Sequence, residues 1–166
     1  MPTRASTDAD VCAMRGLHLY HAQVSNSSMR VRLLLAEKAI AWTSHLLDAT
    51  RQDNLTDSYL RINPTSLIPA LVDDGVVVTE SNDILYHLEA RFPQPRFTPV
   101  EARADAEMRG WVDLAASSHP TTLKPWQYHV TGVRTKRPED MERYRKLQSD
   151  PEMVAFHQRS LEGFSA

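Results

Sequence analysis

Apolar and polar positions change rhythm several times along this chain. Residues 17–22 alternate closely enough for a short strand. Behind the N-cap candidates Ser25, Asn26, Ser27 and Ser28 runs a stripe at helical spacing: Val31, Leu34, Leu35 and Ala39. Residues 42–47 suggest a second strand, and 55–62 a short, weakly patterned helix. Ala70, Leu71 and Val72 then lead into an Asp73-Asp74-Gly75 turn and the run Val76-Val77-Val78, which predicts two strands joined by a hairpin. Ile84, Leu85 and Leu88 mark another amphipathic helix, stopped near Phe92-Pro93.

The predicted order β-α-β-α-β-β-α is that of a thioredoxin-like α/β domain, here over residues 16–93. Residues 1–15 read as a polar, poorly ordered leader. Residues 94–100, rich in proline, read as a linker. No strand pattern appears beyond it. A helix is predicted over 101–117, with Ala104, Met108, Trp111, Val112 and Ala115 along one side, and Met108 and Trp111 are expected in a core. Pro120, Pro125 and Gly132 are expected to break the next stretch, before shorter helices over 138–147 and 152–161. The second domain, 101–166, is therefore all-α.

Composition narrows the function classes. Nineteen basic against 21 acidic residues give a net charge of -2, which argues against nucleic acid or an acidic membrane as partner. The only cysteine is Cys12, so an internal disulfide is impossible and a reducing, cytoplasmic setting is expected. No apolar run approaches the roughly 18 residues that would span a bilayer. The histidines show no metal-ligand spacing: His18 and His21 should face opposite sides of a strand, and His119, His129 and His157 read as solvated or packing residues. Arg134, Lys136 and Arg137 read as a solvated loop.

Three places carry candidate chemistry. Ser25 to Ser28 stand at a helix start, where unpaired N–H groups favour an anion and a hydroxyl can stabilise a thiolate, although capping alone would also explain them. Ile68-Pro69 heads a strand, where an X-Pro bond is free to be cis. Glu80-Ser81 opens the next helix, where N-terminal amides can hold a carboxylate.

In this order the motifs resemble the glutathione-binding half of soluble glutathione transferases. The run Ser25-Asn26-Ser27-Ser28-Met29-Arg30-Val31-Arg32 is similar to the first-helix motif of serine-type members, especially the tau and zeta classes. There the matching Ser25 would activate the glutathione sulfur; in an alignment with bacterial β-etherases and their relatives that role would fall to Ser28. The resemblance further implies a cis Ile68-Pro69 bond whose preceding backbone pairs with the cysteinyl unit. It also implies a Glu80-Ser81 pair holding the γ-glutamyl end. Leu67 departs from the pattern, since many members carry a polar or basic residue there. The glycyl carboxylate then needs another partner, with His45, Arg51 and Gln52 close in sequence.

The resemblance is looser over 102–160. A buried helix with a Ser/Thr-x-x-Asp capping box, usual in the family, finds no match after residue 120, so the all-α domain reads as partial. The resemblance thus implies a cytosolic homodimeric enzyme that uses glutathione as co-substrate against a small electrophile, without metal. Its rivals are a non-catalytic binding or assembly module and a glutathione-dependent isomerase, dehalogenase or ether-cleaving enzyme.

Overall fold

The computed structural model describes residues 3–132, 136–148 and 151–162. In chain order the elements are β1 (Thr3–Ala5), α1 (Ala9–Ala13), β2 (Leu17–His21), α2 (Asn26–Glu37), β3 (Thr43–Leu46), α3 (Asp57–Ile62), β4 (Ala70–Asp73), β5 (Val76–Thr79) and α4 (Ser81–Arg91). The helices α5 (Ala102–Ser118), α6 (Lys124–Thr131), α7 (Met141–Leu147) and α8 (Pro151–Glu162) follow. From β2 to α4 this is the predicted thioredoxin-like order.

The sheet has the order β1-β5-β4-β2-β3. β2 and β3 run parallel, as the α2 crossover requires, and the other neighbours pair antiparallel. The hairpin turns at Gly75, whose φ is +84°. A Cβ there would also come within 2.9 Å of the Cys12 carbonyl oxygen. Period-two alternation sorts the side chains onto two faces. Leu17, Leu19, Leu71 and Val78 meet Val31 and Leu35 of α2 and Ile84 and Leu88 of α4. On the other face Ala70, Val72 and Val77 meet Tyr59 and Ile62 of α3 and Val11 of α1. Both faces are thus covered, which fixes the helix starts relative to the strand ends.

The expected loose leader is corrected. Thr3 to Ala5 pair with Val76 to Val78 as a fifth strand, and α1 is capped by Asp8, whose carboxylate accepts from the amides of Asp10 and Val11. A three-residue strand has no readable period, so its signal lies in the partner edge of β5. The 94–100 linker is also tied down. Lys38, buried at the C-cap of α2, donates to the carbonyls of Phe92 and Pro95 and pairs with Glu89 at 2.7 Å. Glu89 in turn accepts from the amides of Phe97 and Thr98.

Two expectations for the helical half are corrected as well. Pro120 and Pro125 do not break the helix: a π-helical segment, His119–Leu123, carries α5 into α6. Each proline sits within the first two positions of its segment. Gly132, at φ +68°, ends the run. Met108 and Trp111 are not core residues. No residue of α5 is buried, and Trp111 is 65% exposed because no described element packs over it. The rest of this half docks through Met141 and Tyr144 of α7 against Leu55.

Candidate functional site

The starts of α2 and α4 and the head of β4 open onto one cleft of about 980 Å³. Its N-terminal wall includes Ser25, Arg30, Leu67, Ile68, Glu80 and Ser81; its helical wall includes His119, Lys124, Tyr128, Lys136, Tyr144 and His157. Sequence candidates far apart in the chain therefore share one space.

Ser25 is the N-cap of α2, its Oγ accepting from the Ser28 amide at 3.2 Å. Capping uses a lone pair and leaves the hydroxyl proton free to donate. No acidic residue stands in the first turn of α2 to offset the potential of the helix start. Ser28 lies elsewhere. It is fully buried, accepts from the Ala22 amide at 3.3 Å, and is absent from the cleft wall.

The loop carrying Ser25 is held by Arg32, which donates to the Ala22 and Gln23 carbonyls and to Nδ1 of His21. Burial, then the Arg32 charge, then His45 push the His21 pKa down, so the ring is neutral. With Nδ1 accepting from Arg32, the ring proton sits on Nε2 and is donated to Ser44 Oγ at 2.7 Å. His18 faces the opposite side, bonded to His45, as the strand alternation predicts.

The Ile68-Pro69 bond is cis, as is Gln94-Pro95. The β2–β4 register ends at Tyr20 and Ala70, so Ile68 lies outside the ladder, and it lines the cleft. The loop before it is braced from behind: Tyr59 Oη and Asn63 Nδ2 both donate to the Leu67 carbonyl. Ser66, at φ +61°, is buried, and its Oγ has no hydrogen-bond partner among the described residues. Asn54 donates to the Ser66 carbonyl at 2.8 Å but leaves its own Oδ1 unpartnered. Both residues line the cleft. His45, Arg51 and Gln52, the glycyl-end candidates, do not. His45 stacks on Tyr20, and Gln52 donates to the Ala49 carbonyl.

Glu80 opens α4 at φ 64°, ψ 124° with no side-chain cap. That region costs a non-glycine residue about 1 to 3 kcal/mol, and it leaves the first amides of α4 open to the cleft. Desolvation by the surrounding walls, with Asp83 adding repulsion, raises the Glu80 pKa. Arg30 reaches across from α2 to Ser81 Oγ at 3.4 Å and Asn82 Oδ1 at 2.6 Å. Asn82 donates onward to Asp113 of α5 at 3.0 Å.

Sequence reasoning missed Arg30 as a site residue, although it stands three and four positions after Ser27 and Asn26 and so on their helix face. It also missed the helical wall. Lys136, expected in a solvated loop, is buried, its Nζ 5.0 Å from the Tyr144 ring centroid. Arg134, placed in the same loop, lies outside the described residues. His157 takes the packing alternative of its two expected roles, at 2% exposed, and its Nδ1 finds no partner among the described residues. Burial, then the charges of Lys124 and Lys136, push its pKa down to about 2. Among the described residues no cluster of three His, Cys, Asp or Glu could hold a metal ion, and no helix is long and apolar enough to cross a membrane.

A family model of the glutathione S-transferase N-terminal domain matches residues 19–96. The α/β half of this chain has the fold of a glutathione S-transferase N-terminal domain. A maleylacetoacetate isomerase of Pseudomonas aeruginosa is 34% identical over 129 residues, covering 71% of this chain and 61% of the relative. Glutathione S-transferase 1 of Dianthus caryophyllus is 28% identical over 111 residues, covering 67% of this chain and 48% of the relative. Among solved structures, the β-etherase LigF of Sphingobium sp. strain SYK-6 superposes with a TM-score of 0.79 at 27% identity, covering 90% of this chain and 64% of LigF. The chain thus spans roughly half to two thirds of the length of these relatives.

Proposed function

We propose that the cleft binds glutathione and activates its thiol for attack on a small electrophile. The open N-terminus of α4 carries this reading, because it sits beside Glu80 and Ser81 and faces the start of α2 across one space. The Ser81 hydroxyl and the α4 amides suit the γ-glutamyl carboxylate, and Glu80 suits its amino group. Ile68 offers backbone groups to the cysteinyl unit in the manner of an added strand. Asn54 and Ser66 supply polar atoms near Leu67 for the glycyl end. Ser25 donates to the sulfur, and the α2 start adds positive potential, so the anion is favoured over the thiol.

The thiol proton leaves to solvent, and the sulfur lone pair forms a bond to the electrophilic carbon. The leaving group departs with the electron pair of the bond it breaks. At about 980 Å³ the cleft lies at the upper end of the roughly 300–1,000 Å³ of small-molecule sites, which suits two reactants. The likeness to LigF supports a second reading in which the leaving group is an alkoxide or aryloxide, with the same first step. A thiol co-substrate and the free, exposed Cys12 both suit a reducing, cytoplasmic compartment. The exposed side of α5, with Trp111 and Leu114, suits a homodimer contact with a second copy of the chain.

Calorimetric titration with glutathione tests the reading. Saturable heat at millimolar ligand or below is expected. No heat from glutathione would overturn it.

A further inference from the structure

The helical wall of the cleft contains a cationic feature that thiol activation does not use. Lys124 lies on the wall at the start of α6, with its Nζ 5.0 Å from the Phe156 ring centroid and 5.8 Å from that of Tyr128. Among the described residues its ammonium group has no ion pair or hydrogen bond. Lys136 holds its Nζ over the Tyr144 ring on the same wall. Between them electrostatically stands His157, set edge-on to Tyr144 and Phe156. Burial, with both lysine charges adding to it, keeps this imidazole neutral. One of its nitrogens, Nδ1, is buried without a partner among the described residues. A neutral imidazole keeps one N–H, which is a donor matched to an anion.

We propose that Lys124, Lys136 and His157 form a carboxylate-binding subsite, so that the cleft takes a ring-bearing ligand with an anionic group. Lys124 and Lys136 repel each other across this wall; Asp140 offsets part of that at Lys136, and among the described residues no carboxylate pairs with Lys124, so an anion placed there is favoured. Aromatic faces hold the ammonium groups in place but do not neutralise them. Desolvation pushes both lysines down to about 8. Each therefore stays mostly protonated at neutral pH, by roughly ten to one. The rings of Tyr128 and Tyr144, with Met153 and Leu123, give the same wall apolar area for an aromatic body. The ligand this wall would take is thus an aryl carboxylate, placed across the cleft from Ser25. The inference rests on the glutathione reading for the direction of the reacting sulfur, but the anion site stands without it.

The test uses the full chain, with 2-naphthoate and its neutral amide as probes in calorimetry. The acid is expected to bind at least tenfold more tightly than the amide. Lys124→Met with Lys136→Met, which keeps the length of the side chains, should abolish that preference. Equal affinity for acid and amide on the parent would overturn the proposal, whether or not the variant folds. So would a preference that survives the double substitution. Saturating glutathione separates the two sources of a carboxylate. Retained naphthoate binding places the subsite with the second substrate. Displacement by glutathione, but not by its C-terminal glycinamide, assigns it to the glycyl end. Silence towards glutathione alongside naphthoate selectivity would sink only the glutathione reading.

Discussion

The two halves of this molecule meet at the cleft but are built differently. In the α/β half both sheet faces are covered, and Leu19, Leu35, Leu71, Ile84 and Leu88 are fully buried. That packing fixes where α2 and α4 begin, so Ser25, Glu80 and Ser81 are held by the core behind them. In the helical half α5 buries no residue, and Trp111, Leu114, Trp126 and Val130 are exposed. Its contribution to the cleft is instead a set of side chains caged by rings: Lys124, Lys136 and His157. One half thus supplies backbone geometry set by topology, and the other supplies charge in an aromatic setting. On the proposed function, co-substrate recognition falls to the first half and choice of the second ligand to the second.

The sharpest contrast is in stability. Leu88→Ala removes a fully buried side chain facing α2 and β5, and should cost about 2 to 5 kcal/mol in urea unfolding. Trp111→Ala, on an exposed face, should stay within about 0.5 kcal/mol. It should instead shift sedimentation towards monomer. Equal unfolding costs for the two substitutions would erase the distinction between the halves.

Acid should act on the helical half. His157 has its pKa held near 2 in the folded chain, against about 6.5 in the unfolded one. The unfolded state therefore takes up a proton first, and stability is full above about pH 6.5 and falls as pH drops below it. One proton corresponds to about 1.4 kcal/mol per pH unit, or about 2 kcal/mol between pH 6.5 and 5. Hydrogen exchange at amides of α7 and α8 reads this directly, and His157→Gln should flatten the slope. An unchanged slope in that variant would assign the acid sensitivity elsewhere.

In binding, the α/β half should dominate the co-substrate. Ser81→Ala is expected to weaken glutathione affinity by about 1 to 3 kcal/mol, the range for a hydrogen bond to a charged group. Lys124→Met should leave that affinity unchanged if the subsite faces the second substrate. A silent Ser81→Ala would move the γ-glutamyl contact off the α4 start.

The same division explains what could be read from the chain. The order from β2 to α4 was legible because period-two and 3.6-residue patterns alternate there, with Asp74-Gly75 and a strand-heading proline as punctuation. The places of Ser25, Ile68, Pro69, Glu80 and Ser81 on the cleft wall were legible because each sits at an element end, where local chemistry is distinctive. Ser28 shares that local signature, and only the fold shows that its hydroxyl turns inward to Ala22. β1 was not legible, since three residues become a strand only by pairing with β5. The continuity of α5 into α6 was hidden by prolines that a π-helical segment absorbs. Lys124, Lys136 and His157 carry no shared spacing, and they converge only through tertiary packing.

The central claim is that the start of α2 turns a bound thiol into a thiolate through Ser25. Ultraviolet thiolate absorbance against pH, at saturating glutathione, measures this most directly. The account predicts a midpoint well below that of free glutathione in the parent. Ser25→Ala should return it towards the free value with affinity largely intact, because Ile68 and Ser81 still hold the tripeptide. A parent that binds glutathione but shows the free midpoint would contradict the account.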